Sequence, residues 1–525
     1  MDEGTILREI ISRLSYPGIS SSDVQKIKIS VSKKYGLSKI PKNSAILTAV
    51  SPEDYERLRQ ILQVKPTRTL SGVAPIAVMT SPHPCPHGIC LPCPGGPKHP
   101  FQSPQSYTGE EPAALRGREF GFDPYVQVQA RLSQFQMLGH HIDKAELIVM
   151  GGTITARDPE YPEWFMRGCI RAMNDYGHEP SDDNPSYEEL CLRNESADVR
   201  CIAATFETRP DWCLPEHIDR MLALGVTKVE LGVQHVRDRI LDYNRRGHGV
   251  AETIAANCHL RDAGIKVGFH VMPNLPSATM EDDRAMFREL FESPDYRPDF
   301  IKIYPTLVTP GSEIEALWEK GEYHTYPEED MIRLIAYGKS CLPEYVRLQR
   351  VQRDIPAKLI VSGSHHSNFR QLAHEFLLRE GGECRCIRCR EAGRNVVLGD
   401  ASIEVMEYEC CNGTEFFISA VADDALIGFV RLRFPYRPWR PELEGSALIR
   451  ELHVYGSMVP LMRNGEAGFE WQHRRYGNRL LGKAEEIAAE NGYSEISVMS
   501  GIGVRPYYRR HGYERSGPYM SKRLV

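Results

Sequence analysis

Apolar and polar positions along the chain fall into four regimes. Over residues 1–75 apolar side chains recur at helical spacing: Ile6, Leu7, Ile10 and Ile11, then Tyr55, Leu58, Ile61 and Leu62 after Pro52-Glu53. Residues three or four apart share a helix face, so this stretch reads as mainly helical. Thr69 to Met79 turns apolar and reads as a loop entering a Pro- and Cys-rich segment. Between 80 and 350, apolar runs at Ala145–Met150, Val199–Thr205, Lys228–Val233, Lys266–Met272 and Phe300–Tyr304 alternate with helical stretches. That alternation predicts parallel strands with crossover helices. Five or six such units suit a full or partial (β/α) barrel, whose sites gather at the C-terminal strand ends. Asp175–Glu195 is acidic and polar, and reads as an insertion or exposed loop. A His- and Cys-bearing bridge spans residues 355–395. Beyond it, Phe416–Val421 and Leu426–Leu432 read as strands, Arg479–Glu490 as a helix and Ile496–Met499 as a further strand.

Length and composition narrow the class. A chain of 525 residues exceeds one ordinary core and suggests about three domains. With 41% hydrophobic and 26% charged residues it is neither disordered nor fibrous. There is no basic, then apolar, opening segment and no run of ~18 apolar residues. Neither secretion nor membrane insertion is therefore expected, and the expected compartment is cytoplasmic. Residues 1–80 hold 12 Lys/Arg against 7 Asp/Glu, a net of +5 on a chain of net −6. Lys26, Lys28, Lys33, Lys34, Lys39 and Lys42 cluster there and could contact the phosphates of a polyanion; a solvated helix face would look the same.

Six of the fourteen cysteines fall in two tight groups, which in a reducing compartment points to metal rather than disulfide. Cys85, Cys90 and Cys93 lie within nine residues on a Pro/Gly-punctuated loop. Such a loop can wrap thiolates around an iron–sulfur cluster and leave one iron open, or hold a structural zinc with His87 or His83. Spacing alone does not decide. Cys384, Cys386 and Cys389 with one histidine make a Cys₃His set, typical of structural zinc. His374 is the chosen fourth ligand, with His365 and His366 competing and free thiols the alternative.

The surroundings carry a resemblance. CPHGICLPCPGGP is followed by SYTGEEP, DPY, DKAELIVMGGT, ETRPD, ELGVQ, KIYPTLVTPG, ELHVYG and GPYMSKR, in order from about residue 70 to the terminus. Together these blocks resemble the catalytic subunits of Elongator, the radical S-adenosylmethionine (SAM)/GNAT family of tRNA uridine acetyltransferases. The resemblance implies an α/β chain with a radical SAM partial (β/α) barrel followed by a GNAT-type acetyltransferase domain. The expected domains are 1–75, basic, helical and tRNA-binding; 76–355, radical SAM; 356–394, a zinc-binding linker; and 395–525, GNAT.

The site residues follow from the matched motifs. Cys85, Cys90 and Cys93 match the [4Fe–4S] ligands, with SAM on the open iron. Gly151 and Gly152 match a glycine pair whose backbone approaches the SAM amino group, and Glu207 and Arg209 match ligand-contacting positions, Arg209 as a bidentate partner for the SAM carboxylate. A surface ion pair is the plain alternative for Glu207 and Arg209. Glu451, Leu452, His453 and Val454 match the strand that pairs with the pantetheine arm of acetyl-CoA. Tyr476, Gly477 and Asn478 match the pyrophosphate loop at a helix start, where free backbone N–H groups favour anions. Tyr508 matches a residue near the thioester, and Lys144 a lysine that contacts acetyl-CoA. Three features depart from the usual patterns: four residues rather than three between Cys85 and Cys90, Pro92 where an aromatic is usual, and Arg475 where glycine is usual.

The implied reaction uses a SAM-derived 5′-deoxyadenosyl radical and acetyl-CoA to place a carboxymethyl group on C5 of the anticodon wobble uridine. The implied partner is the tRNA anticodon stem-loop, with other subunits or a homodimer left open and no membrane. The alternative is a protein lysine acetyltransferase with a structural iron–sulfur cluster.

Overall fold

A computed structural model describes residues 3–37, 39–64, 69, 72–98, 102–180, 183–366, 368–392, 400–455 and 476–524. The N-terminal helices α1 (Glu3–Leu14), α2 (Ser21–Lys34), α3 (Asn43–Thr48) and α4 (Pro52–Leu62) close over their own small core, including Ile10, Leu14, Val31 and Leu58. Helix α4 starts where the pattern placed it. Pro52 occupies the first turn, where no N–H is needed, and the Ser51 hydroxyl accepts from the Asp54 amide at 3.4 Å. This module docks through His140, whose ring contacts Gln63 at 2.9 Å, Thr69 at 2.7 Å and the Val64 carbonyl at 3.0 Å.

The central sheet is an open, all-parallel half-barrel in sequential order. Its strands are β1 (Ala74–Met79), β2 (Lys144–Met150), β3 (Arg200–Thr208), β4 (Lys228–Gln234), β5 (Lys266–Val271), β6 (Phe300–Ile303) and β7 (Arg347–Val351). Two of these strands correct the pattern reading. The stretch read as a loop, Thr69 to Met79, contains β1, whose residues pair with β2 from Ala74↔Ala145 to Met79↔Met150. Strand β7, with sequence RLQRV, carries too many charges to read as a buried strand. The acidic Asp175–Glu195 stretch is likewise not just a loop. Ser186 and Glu189 form a capping box that starts a helix, Tyr187–Asn194, burying Leu190, Cys191 and Asn194.

The second sheet is mixed. It runs β13-β14-β12-β11-β10-β9-β8, from β8 (Ser402–Cys410), β9 (Gly413–Ala422), β10 (Ala425–Phe434) and β11 (Ser446–Val454) to β12 (Glu495–Val498), β13 (Glu514–Ser516) and β14 (Tyr519–Arg523). Strand β11 pairs in parallel with β12 only from Ser446 to Ile449, while β10 follows it to Val454. The β11–β12 pair is thus splayed beyond Ile449. The helix Tyr476–Glu490 packs on this sheet through Leu480, Leu481 and Ala484.

The two sheets meet at the N-terminal end of the half-barrel. After β12 the turn at Gly501 lies directly on β3: a Cβ there would stand 1.9 Å from the Ile202 carbonyl oxygen, so only glycine fits. Four arginines (Arg261, Arg431, Arg433, Arg450) interleave with Asp262, Asp299, Glu415 and Glu451 across the junction. No helix among the described residues is long and apolar enough to cross a membrane.

Candidate functional site

The cavity at the C-terminal mouth of the half-barrel is built by the segments that follow its strands. The loop after β1 brings Cys85, Cys90 and Cys93, and the β2 end brings Gly152 and Thr153. The β3 end adds Glu207 and Arg209, β4 adds Gly232 and Gln234, and the end of β6 adds Tyr304. All three cysteines are free, with Cys90 and Cys93 buried. Donors surround them. Arg246 Nη1 lies 3.1 Å and His87 Nε2 3.0 Å from the Cys90 sulfur, Gln105 Nε2 donates to Cys93 at 2.9 Å, and Thr153 Oγ1 stands 3.7 Å from Cys85.

Burial pushes the Cys85 thiol up to about 11 and raises Cys93 as well, so the protein alone does not hold these groups as thiolates. The same burial, with Arg209 and Arg246 nearby, depresses His87 to about 3 and keeps that imidazole neutral.

A single tetrahedral ion with Zn–S bonds of ~2.3 Å needs sulfurs within roughly 4 Å of one another. Among the described residues, the three-ligand sets whose atoms all lie within 4.8 Å of one another are Cys384–Cys386–Cys389 and Glu207–Glu230–His270. Cys85, Cys90 and Cys93 are spaced more widely, which fits a polynuclear cluster better than one zinc. The donor set fits a [4Fe–4S] cluster, and the hydrogen-bond donors at Cys90 and Cys93 are those that tune such sulfurs.

The neighbouring expected residues divide. Gly152 lines the cavity, whereas Gly151, at φ +127°, is turned onto Thr80, whose Oγ1 would stand 2.1 Å from an added Cβ. Glu207 lines the cavity and accepts from the Tyr107 hydroxyl at 2.6 Å. Arg209 is buried, with its fork on Asp211 at 2.9 and 2.7 Å and Nη1 against His87 Nδ1. Glu207 and Arg209 therefore form no ion pair with each other, and Arg209 would have to leave Asp211 to meet a carboxylate ligand bidentately.

The pattern reading missed a chain of charges inside the barrel. Glu230 meets Lys228 at 2.8 Å, His270 at 2.9 Å and Lys302, and Lys302 lies 3.7 Å from Glu207. Burial opposes the Glu230 charge, but Lys228 and Lys302 outweigh it and hold the carboxyl well below its usual range. Glu230 in turn holds Lys302 up against the same burial, while burial and Lys302 hold His270 down. The signal was present: a central parallel strand should be apolar on both faces, and Glu230, His270 and Lys302 interrupt such runs.

A second cavity, of 510 Å³, opens at the N-terminal mouth of the barrel against the splayed β11. It is lined by Glu146, Lys228, Phe300, Arg347 and Gln349 from the barrel, by Glu451, Leu452 and His453 from β11, and by Tyr508 from the short helix Arg505–Arg509. Glu451 accepts from Arg431 Nε at 2.9 Å, and His453 stacks on Phe429 with its pKa lowered by burial to about 4. Val454 continues β11 to its end and packs on the sheet core. Tyr508 is buried, and burial with Tyr507 and Glu451 alongside raises its phenol far above the usual value. Asn478 is exposed at the start of its helix, and the Tyr507 hydroxyl donates to it at 3.4 Å. Gly477 lies beside that same hydroxyl, 3.1 Å from where its Cβ would be. The Tyr476 side chain is buried in the sheet core and its hydroxyl accepts from the Ala401 amide at 3.0 Å, so at the helix start Tyr476 offers its backbone rather than its phenol. Gln472 to Arg475 lie outside the described residues. Lys144 stands at the same mouth, half-buried and 4.0 Å from Asp143, without lining the cavity.

Cys384, Cys386 and Cys389 converge, with the Lys339 ammonium 3.9 Å from the Cys389 sulfur. Hydrogen bonds from Cys384 and Cys389 lower the Cys386 thiol and correspondingly raise Cys384. His374 Nδ1 is buried without a partner, and Cys386 is among the charges acting on the ring. The three convergent sulfurs fit a zinc ion, while His374, orphaned at Nδ1, stands outside the set whose atoms lie within 4.8 Å of one another. His365 and His366 are exposed, His366 facing Glu328 at 3.4 Å.

Of the six lysines, Lys26, Lys33, Lys34, Lys39 and Lys42 are exposed. Lys28 is a correction: it is buried and donates to Asn43 at 2.7 Å. Lys34 pairs with both oxygens of Glu9, at 2.9 and 2.7 Å.

Comparison with known proteins agrees with this layout. The model of the radical SAM superfamily matches residues 85–290, and that of the radical SAM C-terminal domain matches 298–379. The ELP3 N-terminal domain matches residues 4–70 and the GNAT acetyltransferase family 394–513. The tRNA uridine(34) acetyltransferase of Methanocaldococcus jannaschii is 48% identical over 496 residues, covering 92% of this chain and 90% of that protein. Elongator complex protein 3 of Homo sapiens is 40% identical over 538 residues, covering 99% and 96%. The solved Elp3 of Methanocaldococcus infernus with an N-terminal deletion superposes with a TM-score of 0.76 at 43% identity, covering 87% of this chain and all of that one. A three-thiol half-barrel joined to a GNAT sheet, matched over nearly its whole length, places this chain in the family of tRNA uridine(34) acetyltransferases and Elongator complex protein 3.

Proposed function

We propose that this chain builds a carboxymethyl group on C5 of the wobble uridine of a tRNA anticodon, using SAM and acetyl-CoA. The observation that carries the reading is the placement of two cavities on one barrel axis: three cysteines at the C-terminal mouth, the splayed GNAT strand at the other. The uridine assignment rests on the names of the relatives. A [4Fe–4S] cluster with SAM would supply, when bound, the hydrogen-atom abstraction that an unactivated methyl group requires.

The chain's own residues supply the rest. Cys85, Cys90 and Cys93 would hold the cluster, with Arg246 and Gln105 stabilising negative charge on two of the sulfurs. Gly152 leaves open backbone at the cavity wall, and Glu207, fixed by Tyr107, offers a carboxylate acceptor. In the other cavity β11 runs on from Glu451 through Leu452 and His453 past the end of its ladder with β12 at Ile449, a strand suited to the amides of a pantetheine arm. Tyr508, kept protonated by burial, can donate a hydrogen bond to a departing CoA thiolate. Gly477 and Asn478 open the helix at which pyrophosphate would bind. Exposed Lys26, Lys33, Lys39 and Lys42 would contact tRNA phosphates. Cys384, Cys386, Cys389 and His374 would hold a structural zinc within the linker 356–394, between the 76–355 barrel and the 395–525 GNAT domain.

The test is anaerobic incubation of reconstituted, dithionite-reduced protein with SAM, acetyl-CoA and unmodified tRNA transcript. 5′-Deoxyadenosine and carboxymethyluridine should both form, and both should vanish in Cys90→Ser. CoA release with intact SAM and unmodified tRNA would overturn the reading in favour of a plain acetyltransferase.

A further inference from the structure

The inside of a parallel barrel is ordinarily filled by layers of branched apolar side chains. Here it is not. Along the axis, from the GNAT-facing mouth to the cysteine-facing mouth, stand Glu146, Lys228, Glu230, His270, Lys302 and Glu207. Consecutive members touch or nearly touch: Glu146–Lys228 at 3.9 Å, Lys228–Glu230 at 2.8 Å, Glu230–Lys302 and Lys302–Glu207 at 3.7 Å. Lys228 borders the lower cavity and Glu230 the upper one. They sit two residues apart on β4, about 7 Å of strand rise. One layer of polar side chains therefore separates the two cavities. Gln349 bridges it with its amide turned to match its neighbours, the orientation in which it donates to Glu230 at 3.1 Å and accepts from Lys228 at 2.7 Å.

Beside this layer the wall is thin. Gly268, between Lys266 and His270 on β5, carries no side chain where a Cβ would meet Glu230 Cγ at 3.3 Å and Phe300 Cβ at 3.5 Å. Thr205, in register with Ile148 and Lys228, donates its hydroxyl to Glu146 at 3.4 Å. Buried ion pairs are commonly no better for stability than apolar replacements of the same volume. A charged, glycine-thinned layer in this position serves something other than packing.

We propose that the barrel axis is a passage, and that the acyl end of the CoA pantetheine arm crosses it from the GNAT cleft to the cysteine-lined cavity, displacing the Lys228–Glu230–Gln349 layer. The occupant is a thin, uncharged acyl thioester. Its carbonyl can accept from Lys228 or Lys302, and the charges it parts are mutually compensated, so no unpaired ion is created. This rests on the function proposed above, because only chemistry shared between the two cavities requires the crossing.

Two experiments test the passage, one of them independent of activity. In Thr205→Cys protein without cluster, chloroacetyl-CoA should alkylate the new thiol, the sulfur displacing chloride. Peptide mass mapping reads the adduct, and excess acetyl-CoA should suppress it. No adduct at residue 205, while Lys266→Cys at the lower mouth is alkylated, would overturn the passage. The second experiment supplies trideuteromethyl acetyl-CoA, SAM, tRNA and dithionite. Deuterium should leave the methyl carbon and appear on the 5′ carbon of deoxyadenosine.

Gly268→Leu should cut this transfer about 100-fold, the scale of loss when reacting groups are kept from close approach, with acetyl-CoA still bound by calorimetry. Gly268→Ala should give a smaller loss in the same direction, which covers the case in which leucine is not tolerated. Undiminished transfer in a folded Gly268→Leu protein would refute the passage while leaving the tRNA reaction standing. An adduct at Thr205→Cys without any tRNA modification would do the reverse.

Discussion

Removing the charge of Asp299 should loosen the junction that holds the two catalytic halves in register. This carboxylate, one residue before β6, accepts from Arg450 at 2.8 and 2.7 Å and from the Val267 amide at 2.8 Å. Arg261 and Arg431 stand 3.6 and 3.5 Å away, and Asp299, Arg261 and Arg450 are fully buried. At an effective dielectric of about 20, each guanidinium at that range interacts with the carboxylate by about 5 kcal/mol. Asp299→Asn forfeits those attractions and regains the carboxylate's own desolvation, so the net loss is about 3–5 kcal/mol, as for other buried pairs broken on one side. At about 2 °C per kcal/mol for a large unit, calorimetry should show a fall of about 6–10 °C. The barrel and GNAT transitions should separate as coupling weakens.

The arginines outweigh burial and hold Asp299 far below its usual range. A depressed carboxyl stabilises above its unfolded pKa of about 4 and loses that contribution as pH falls. Wild type and Asp299→Asn should therefore differ fully at neutral pH and converge in acid. Replacing both partners, Asp299→Leu with Arg450→Met, should recover much of the loss. A shift under about 1 kcal/mol for Asp299→Asn, or a pair no better than the single change, would refute the reasoning.

Three further predictions concern the sites. Tyr508→Phe should lower tRNA-dependent CoA release about 100-fold, the usual cost of removing one hydrogen-bond donor from developing charge, with acetyl-CoA affinity nearly unchanged; equal rates would remove Tyr508 from the chemistry. Cys386→Ser should release one equivalent of zinc by elemental analysis and lower the melting temperature, and a protein that carries no zinc to begin with would refute the site. Lys33→Ala should reduce the salt dependence of tRNA binding by somewhat under one unit of slope, whereas Lys28→Ala should leave that slope alone and cost stability; the opposite pattern would invert the proposed face.

The sequence by itself determined the local matters. Helical spacing placed α4, with Pro52-Glu53 marking its start, and apolar runs placed β2 to β6, because backbone periodicity acts over a few residues. The cysteine loops were equally legible, since ligands of one centre lie close along the chain. Strands β1 and β7 were not, because what makes RLQRV a strand is its pairing with β6, and its charges belong to the junction and the barrel axis. Only the tertiary structure decided what distant residues do to one another. It turned Gly151 onto Thr80, gave Arg209 to Asp211, buried Lys28 and Tyr476, and brought Glu207, Glu230, His270 and Lys302 into one line. Those outcomes depend on desolvation and on partners up to hundreds of residues away, and no window of sequence contains them.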